Sequence, residues 1–318
     1  MAYSLEGKRV WVAGHRGMVG SALVRRLDQE GPAEILTVTR QEVDLINQVE
    51  TTRWIEANRP QAVFIPAAKV GGIMANDTYP ADFLYDNLMI AANIIHACHN
   101  VGVEKLLFLG SSCIYPKFAD QPIAEDSLLT GTLEPTNEWY AIAKIAGIKL
   151  CQAYRKQHGD DFISAMPTNL YGPGDNYHLQ NSHVIPALIR KAHEAKLAGR
   201  KSMEIWGTGT PRREFLHADD CASALVHLMK VYSDFEHVNV GSGEDIAIAD
   251  LAQMVMDVVG FDGELEKDTS KPDGTLRKLM SADKIRELGW RPSISLREGL
   301  ENAYAMFLEE QQQGRLKA

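Results

Sequence analysis

The first half of the chain alternates short apolar runs with longer segments in which apolar and polar residues follow a helical period. The apolar runs are rich in β-branched or aromatic residues, which favours strands, and they lie at 8–13, 35–39, 62–65, 105–109 and 162–166. The periodic segments predict helices at 21–27, 49–58, 83–100 and 138–157. Because strands and helices alternate, we expect an α/β fold built on a doubly wound parallel sheet.

The first predicted strand ends in a glycine-rich turn that leads into a helix. The turn contains six residues that we expect to contact a ligand: Gly14, Arg16, Gly17, Met18, Val19 and Gly20. Glycines at such a turn let the backbone approach a pyrophosphate, and the following helix offers unpaired amides and the positive end of its dipole. The spacing is GxxGxxG, not the usual GxGxxG, so a purely structural turn is the alternative. The strand–turn–helix context favours a dinucleotide site in a Rossmann-type sheet.

Arginine follows the second predicted strand, where a cofactor without a 2′-phosphate would require an acidic residue for its ribose hydroxyl. Arg40 therefore indicates NADP, and Arg16 in the glycine turn offers a second guanidinium to the same phosphate. The alternative is that both arginines are ordinary solvated charges.

The alternation of strands and helices becomes less regular after the strand at 162–166, and we predict a domain boundary near residue 168. Residues 1–168 would form the NADP-binding Rossmann-type domain, and 169–318 a smaller α/β substrate domain. A segment near 213–245 is expected to return to the first domain. It holds a strand that leads into an N-capped helix at 211–220 and a short strand at 238–241. A closing helix is predicted at 296–312.

The helix at 138–157 contains Tyr140 and Lys144, four residues apart and therefore on one face. We expect the lysine cation to favour the phenolate and lower the pKa of Tyr140, which would donate a proton to a carbonyl. The spacing alone is weak because such pairs arise by chance. The same helix is apolar on most sides, including at Ile148, so we expect a partner subunit to cover it together with the helix at 83–100.

Composition narrows the class of protein. The chain has 318 residues, of which 45% are hydrophobic and 24% charged, enough for one large or two medium domains. Its net charge of −9 argues against nucleic acid or an anionic membrane as the main partner. Four widely spaced cysteines without a CxxC pair suggest neither disulfides nor a metal site and fit a reducing cytoplasm. No apolar stretch approaches the ~18 residues of a membrane span.

Taken together, the three glycines, Ser111, Tyr140 and Lys144 resemble the extended short-chain dehydrogenase/reductase family that acts on nucleotide sugars. The resemblance covers nearly the whole chain. Within that family, the strings at 111–116, 181–186 and 271–274 are similar to those of enzymes that epimerise and reduce a GDP-linked sugar. This resemblance implies an enzyme that epimerises carbons 3 and 5 of GDP-4-keto-6-deoxy-D-mannose and reduces its 4-keto group. Together with Arg40 and the apolar helix described above, it leads us to expect a soluble, NADPH-dependent homodimer.

Each candidate residue then has an expected role. Ser111 and Tyr140 would stabilise charge on the carbonyl oxygen, and Lys144 would also hold the nicotinamide ribose. Cys113, a few per cent thiolate at neutral pH, and His183 would exchange the carbon-bound protons, with the acid and base at each carbon left open. The resemblance also implies further contacts. For the cofactor they are Leu109, Gly110, Ser111, Tyr140, Lys144, Pro167, Asn169, Leu170 and His183; for the substrate they are Lys191, Trp206, Arg213 and Asp273.

Purely structural interpretations, without a catalytic role, are the alternative for several of these residues. Cys113 alone would be a small buried hydrophobe and His183 a structural histidine, while Arg212 reads as a surface charge. Either lysine or arginine would be acceptable at position 191. Because the residue is Lys191, it is left open whether a bidentate phosphate contact forms there. Related alternatives are a 4,6-dehydratase or a 4-epimerase that keeps NAD bound, against which Cys113 and Arg40 argue. A non-enzymatic dinucleotide sensor would not need Ser111, Tyr140 and Lys144 together, and a purely structural protein would leave the glycine turn unexplained.

Overall fold

The computed structural model describes residues 2–178, 182–271 and 273–317. Strands and helices alternate through its first half: β1 Arg9–Val12, α1 Met18–Leu27, β2 Glu34–Leu36, α2 Gln48–Asn58, β3 Ala62–Ile65, α3 Ile73–Thr78, α4 Pro80–Val101, β4 Lys105–Leu109, α5 Glu138–His158 and β5 Phe162–Pro167. The four helices and five strands predicted for this half are confirmed in type and order. The sequence missed only the short α3.

The second strand is shorter than predicted. It ends at Leu36, opposite Trp11 of β1, and not at residue 39. β2 is an edge strand with β1 as its one partner in the sheet. Since β1 itself stops at Val12, the residues that follow Leu36 have no strand beside them with which to continue the ladder.

The second half adds shorter elements: β6 Asn169–Tyr171, α6 Val184–Leu197, β7 Ser202–Trp206, β8 Arg212–His217, α7 Ala218–Val231, β9 Val238–Val240, β10 Asp245–Ala247, α8 Ile248–Val259, β11 Glu264–Asp268, β12 Arg277–Lys278, α9 Asp283–Glu287 and α10 Leu296–Gln312. The predicted strand-to-helix transition is confirmed, because the His217 side chain accepts the Asp219 amide at 3.2 Å and caps α7. The closing helix is also confirmed, and Ser295 and Glu298 form a capping box at its start.

The main sheet is parallel, with strand order β2-β1-β3-β4-β5-β9. The chain places β2 on one side of β1 and β3 on the other, so the doubly wound fold class is confirmed. β9 comes from the second half, with Val240 opposite Pro167, and α7 packs on α1. The segment expected to return does therefore contact the first sheet. The proposed boundary near residue 168 itself remains a prediction.

A second sheet places β8 between β10 and β12, with β6 also paired to β8, while β7 and β11 form a two-stranded ladder. Side chains of β1 alternate between the two faces of the main sheet, with Val10 in one apolar cluster and Trp11 in the other. A third cluster lies under α6, α8 and α10. No helix within the described ranges is long and apolar enough to cross a membrane.

The apolar character of α5 is largely explained within a single chain. Ile148 is 0% exposed and belongs to the cluster beneath the main sheet, so its expected place in a subunit interface is wrong. α5 packs along α4 and against β5, which buries two of its sides. Its outward-facing apolar residues are Trp139 and Ile142, at 43% and 38% exposure.

Candidate active site

Two of the three glycines in the turn after β1 are required by close packing. Gly14 has φ +90°, and a Cβ there would lie 2.8 Å from Cα of Ala67 in the loop after β3. A Cβ on Gly20 would lie 2.1 Å from the Gly14 carbonyl oxygen. Gly17 donates its amide to that same carbonyl at 3.0 Å and precedes α1 without any side-chain cap. The turn therefore lies flat against the next βα loop and leaves the first amides of α1 uncapped.

The two arginines predicted to read a 2′-phosphate are both exposed beside this turn. Arg40 lies in a turn fixed by Glu42, whose carboxylate accepts the Thr39 amide and hydroxyl at 2.8 Å each. These bonds lower the pKa of Glu42, and Arg16 lowers it further, so Arg16 and the Arg40 turn are neighbours. His15 interacts electrostatically with Arg16 and Glu42, and its Nδ1 is buried without a hydrogen-bond partner among the described residues.

Residues expected to line the cofactor follow β4 and β5, which are adjacent strands. Gly110 donates its amide to Ala165 at 2.9 Å, and a Cβ at Gly110 would lie 2.2 Å from Sδ of Met166. The side-chain amide of Asn169 donates to the Glu214 carbonyl at 2.8 Å. Pro167 ends β5, and Leu170 packs against the first apolar cluster. Met18 and Val19 begin α1 and pack against that cluster too.

Four of the predicted catalytic residues come together beyond the carboxyl end of β4. Ser111 begins a short 3-10 turn, and its hydroxyl accepts the Cys113 amide at 3.5 Å and interacts with the Tyr140 phenol. Lys144 is 3% exposed, and its ammonium donates to the Leu109 carbonyl at 2.8 Å. That ammonium lies 5.7 Å from the centre of the Tyr140 ring. The i, i+4 spacing thus places both side chains on the face of α5 that meets β4.

The expected direction of the Tyr140 pKa is wrong. Burial raises the pKa of the phenol above its usual value, the nearby Cys113 raises it further, and Ser111 opposes the rise. Burial also lowers the pKa of Lys144 to about 8. Burial, not the charge of Lys144, therefore dominates the phenol, and Tyr140 stays protonated and able to donate at neutral pH.

Cys113 is 7% exposed, and burial raises the pKa of its thiol. The expectation of a few per cent thiolate is therefore too high for this environment. Two cations and a hydroxyl oppose the rise, in the order Lys278, Ser111 and Lys144. The thiol thus has charged neighbours that a packing cysteine does not need. The other three cysteines are also buried free thiols.

His183 stands at the N-terminus of α6 and makes no capping hydrogen bond. Surrounding protein atoms lower the pKa of its imidazole even though solvent reaches the residue, so it is neutral at pH 7. Among the described residues it has no hydrogen bond to Cys113. Asn181, in the motif that drew attention to this histidine, lies outside the described residues.

Basic and aromatic side chains predicted to hold the substrate surround β7. Trp206 is 59% exposed, and the ammonium groups of Lys191 and Lys271 lie 5.6 Å and 5.9 Å from its ring centre. Lys191 also donates to the Glu204 carbonyl at 3.2 Å. Lys191 and Trp206 therefore form a cation–π contact, which the sequence alone could not predict.

The other two predicted substrate residues are held by the backbone of their neighbours. Arg213 donates to the Thr275 carbonyl at 2.6 Å and is half-buried, which lowers the pKa of its guanidinium. Asp273 accepts the amide and the hydroxyl of Thr208 at 2.8 Å each, so it fixes the loop after Trp206. Arg212 pairs with Asp245 at 2.7 Å, on the opposite face from Arg213. Pro272, in the same motif as Asp273, lies outside the described residues.

The sequence missed two charged residues near the site. Lys278, in β12, is the first cation that opposes the rise in the pKa of Cys113. Glu214 is 0% exposed and accepts the amides of Gly243 at 2.7 Å and Met280 at 3.1 Å, which ties β8 to two other segments. The sequence did contain a signal for Glu214, because this carboxylate stands in the otherwise apolar half of a strand. Lys278 had none, because its strand is two residues long. Within the described residues, no group of three His, Cys, Asp or Glu side chains is arranged to hold a metal ion.

The chain is similar to known proteins over most of its length. Residues 10–241 match the model of the NAD dependent epimerase/dehydratase family. A GDP-L-fucose synthase from Sinorhizobium fredii is 60% identical over 96% of this chain and 97% of its own length. GDP-L-fucose synthase 1 from Arabidopsis thaliana is 58% identical over 95% of this chain and 93% of its own length.

The fold of this chain is also similar to that of a solved structure. The GDP-L-fucose synthetase from Naegleria fowleri bound to NADP superposes with a TM-score of 0.90 at 28% identity, covering 99% of this chain and 98% of that one. The relatives thus match this chain over at least 95% of its length, in sequence and in fold. The chain belongs to the NAD dependent epimerase/dehydratase family, and within that family it groups with the GDP-L-fucose synthases.

Proposed function

We propose that this protein is an NADPH-dependent epimerase and reductase that converts GDP-4-keto-6-deoxy-D-mannose to GDP-L-fucose. The observation that carries the proposal is the joint placement of Ser111, Tyr140, Lys144 and Cys113 beyond the carboxyl end of β4. The first three suffice for carbonyl reduction. The thiol beside them adds a group able to take or give a carbon-bound proton, which reduction alone does not require.

In the reductive half, the residues of α5 and the β4 loop act on the carbonyl oxygen. Tyr140 donates its proton to this oxygen, and its raised pKa keeps the proton in place until charge develops there. The Ser111 hydroxyl donates a second hydrogen bond to the same oxygen. Lys144, fixed by the Leu109 carbonyl, supplies positive charge behind the phenol. NADPH supplies the hydride when bound.

In the epimerising half, the protons of carbons 3 and 5 are acidic because both carbons flank the 4-keto group. Removal of either gives an enolate, whose oxygen is stabilised by the same Ser111 and Tyr140 donors. Inversion requires a proton to leave one face of the ring and another to return to the opposite face, so two groups are needed. Cys113 and His183 fill these roles, and the neutral imidazole of His183 can accept a proton at pH 7.

The residues at the glycine turn fit a dinucleotide. Side chains at Gly14 and Gly20 would clash with the backbone of Ala67 and of Gly14, so only glycines allow this tight turn. The amides at the start of α1 are uncapped, and the buried Nδ1 of His15 lacks a partner among the described residues. Arg16 and Arg40 are exposed on the adjacent turns, where they are available to a 2′-phosphate. We assign NADPH to this turn for these reasons.

The GDP moiety is assigned to the other face of the site. The two cations stacked on Trp206 suit a diphosphate and a flat base, and Arg213 adds a third positive charge close to Lys278. The negative net charge of the chain makes this local group of basic residues necessary for an anionic substrate.

The function is tested by following NADPH consumption with purified protein and two sugars. GDP-4-keto-6-deoxymannose should be reduced, and its precursor GDP-mannose should leave NADPH unchanged. A 4,6-dehydratase would instead convert GDP-mannose, a 4-epimerase would show no net NADPH consumption, and a sensor would turn over neither sugar. Any of these three results would contradict the proposal.

We also propose that the enzyme is a homodimer that pairs through α4 and α5. Large apolar side chains are exposed on these helices, at Tyr85, Leu88, Trp139 and Ile142. Burying one such side chain is worth about 1.5–3 kcal/mol, so a charged residue in the centre of the interface should weaken the dimer measurably. The four buried free thiols support the predicted placement in a reducing cytoplasm.

The dimer is tested with two leucines. Leu88→Glu lies on the proposed interface, and Leu197→Glu places the same charge at a 73%-exposed leucine on α6. Sedimentation at micromolar concentration should give a dimer for the parent and for Leu197→Glu, and a weakened dimer for Leu88→Glu. A monomeric parent would contradict the proposal, and equal dimerisation of both variants would move the interface to another surface.

A further inference from the structure

Tyr115 links the loop that carries the candidate catalytic thiol to a strand two places away in the main sheet. It follows Cys113 by two residues and is 2% exposed. Its hydroxyl donates to Oδ1 of Asn239 at 2.5 Å and lies 2.9 Å from Nε2 of His237. Asn239 belongs to β9, which is separated from β4 by β5. The loop after β4 is therefore attached to an element from the second half of the chain.

Asn239 is itself fixed by the segment that continues from Tyr115. It is 0% exposed, and its side-chain amide donates to the Ile123 carbonyl at 3.0 Å. Its backbone amide donates to a carboxylate oxygen of Glu125 at 3.0 Å. Since the side-chain nitrogen of Asn239 is bound to a carbonyl, Oδ1 is the atom that faces the phenol. Buried polar groups that are paired in this way favour a single arrangement of the loop.

The place of the phenolic proton follows from these partners. Oδ1 of Asn239 only accepts, so Tyr115 donates to it. Burial lowers the pKa of His237 to about 4, so its imidazole is neutral at pH 7 and carries one proton. We assign that proton to Nε2, which donates it to the phenol oxygen. Tyr115 therefore commits its proton to Asn239 and does not donate it to the substrate.

Cys113 lies on a single turn between two fixed points. The first is Gly110 at the end of β4, whose amide donates to the neighbouring strand β5 at 2.9 Å. The second is Tyr115. Between them Ser112–Ile114 form a 3-10 turn, and the bond from the Cys113 amide to the Ser111 hydroxyl is long, at 3.5 Å. The thiol is therefore positioned mainly by the two ends of the turn.

We propose that Tyr115 is a positioning residue that holds Cys113 within reach of the sugar carbons, so that it supports epimerisation and not reduction. Its role in turnover rests on the proposed function. In epimerisation a proton leaves the sugar carbon, the C–H electron pair moves into the enolate, and a C–H bond forms again when a proton returns to the opposite face. Cys113 takes part in this transfer, whereas Tyr115 keeps its own proton. The residues assigned to reduction, Tyr140 and Lys144, lie on α5, and Lys144 is bound to the end of β4.

The proposal is tested with Tyr115→Phe, which keeps the ring and removes the hydroxyl that Asn239 and His237 bind. Exchange of the protons at carbons 3 and 5 of GDP-4-keto-6-deoxymannose is followed by proton NMR in heavy water without NADPH. Because a misplacement of about 1 Å can slow a step about 100-fold, exchange should slow by about 10- to 100-fold. The rate is expressed per active site, counted by the fluorescence of bound NADPH. This count removes the effect of any unfolded fraction.

A second readout separates positioning from a general loss of structure. With NADPH present, Tyr115→Phe should yield a larger share of unepimerised 6-deoxy sugar than the parent. Both products come from one sample, so their ratio does not depend on the amount of folded enzyme. Since Tyr115 acts through Cys113, the double variant Cys113→Ala with Tyr115→Phe should oxidise NADPH as fast as Cys113→Ala alone.

Tyr177→Phe is the matched control. Its hydroxyl also belongs to a buried tyrosine and donates to the Ala303 carbonyl at 3.4 Å, but it lies in the third apolar cluster. This variant should keep the parent rate of exchange. Circular dichroism with thermal melting shows whether each variant folds. If Tyr115→Phe does not fold, His237→Leu takes its place, because it removes one of the two partners of the phenol and should slow exchange by a smaller factor.

The outcomes distinguish this proposal from the proposed function. A folded Tyr115→Phe that exchanges at the parent rate would overturn the positioning role, as would His237→Leu at the parent rate where it is the variant measured. A double variant that oxidises NADPH more slowly than Cys113→Ala would also overturn it, since Tyr115 would then act on the reducing residues. Absence of exchange in the parent would contradict the proposed function instead.

Discussion

Asp175 precedes His183 in the chain, and its buried carboxylate makes the free energy of unfolding depend on pH. Its carboxylate is 5% exposed; Oδ1 accepts the Asn176 amide at 2.7 Å, and Oδ2 has no hydrogen-bond partner among the described residues. Burial raises its pKa to about 7 from the ordinary 3.8, although the Asn176 amide and the Lys317 ammonium oppose the rise. The folded state therefore holds this proton more tightly than the unfolded chain does.

The sign and size of the effect follow from this difference. Between pH 3.8 and about 7 the folded state keeps the proton that the unfolded state releases, so stability falls as pH rises through that window. The fall totals about 4 kcal/mol and is complete above pH 7. Asp175→Asn keeps the Oδ1 acceptor and removes the charge. Its stability relative to the parent should therefore increase by about 2–3 kcal/mol between roughly pH 5 and pH 8.

Urea unfolding of both proteins at several pH values measures this difference. Asp234→Asn is the matched control, because Asp234 accepts the amide of the next residue, Phe235, at 2.6 Å in the same way but is exposed. Its effect should not change with pH. Parallel curves for the parent and Asp175→Asn across this range would refute the reasoning and show that the carboxylate is not desolvated in the folded protein.

Two further predictions concern the cofactor. Arg40→Glu should lower kcat/KM for NADPH by roughly 10- to 100-fold, the worth of one hydrogen bond to a charged group, and reduce the preference over NADH, while Arg53→Glu on α2 should not. Equal kcat/KM for NADPH and NADH in the parent would contradict the assignment. Because burial lowers the pKa of Lys144 to about 8, and its cation is the active form, kcat/KM for NADPH should fall as pH rises through 8. A profile that stays flat well above pH 8 would remove Lys144 from that role.

The central strands of the main sheet were predictable because they are buried on both faces. β3 and β4 contain continuous apolar runs, at 62–65 and 106–109, and such runs are typical of parallel strands covered by helices on both sides. β11 could not be found in this way, since Glu264–Asp268 contains one apolar residue and its pairing with β7 is set by tertiary structure. The same holds for β12, whose two residues carry no periodicity.

Within the site, spacing predicted which residues meet but not their electrostatics. Tyr140 and Lys144 meet because four residues make about one helical turn. The pKa of the phenol depends on how much protein covers it, which no local pattern encodes, so burial reversed the expected direction. Lys278, which lowers the pKa of Cys113, is far from it in sequence and lies in a strand too short to recognise. The roles assigned to individual residues remain predictions.

The most direct test of the account separates reduction from epimerisation by mutation. GDP-4-keto-6-deoxymannose would be incubated in heavy water with NADPH and each variant, then followed by mass spectrometry and proton NMR. Tyr140→Phe should abolish NADPH oxidation but still exchange the protons at carbons 3 and 5, about 10²–10³-fold more slowly because one donor to the enolate is lost. Cys113→Ala should stop this exchange while slow reduction of the unepimerised sugar continues, and Cys221→Ala, which removes a buried thiol from α7, should match the parent. Exchange and inversion by Cys113→Ala at the parent rate would show that the thiol is a packing residue and would contradict the central claim.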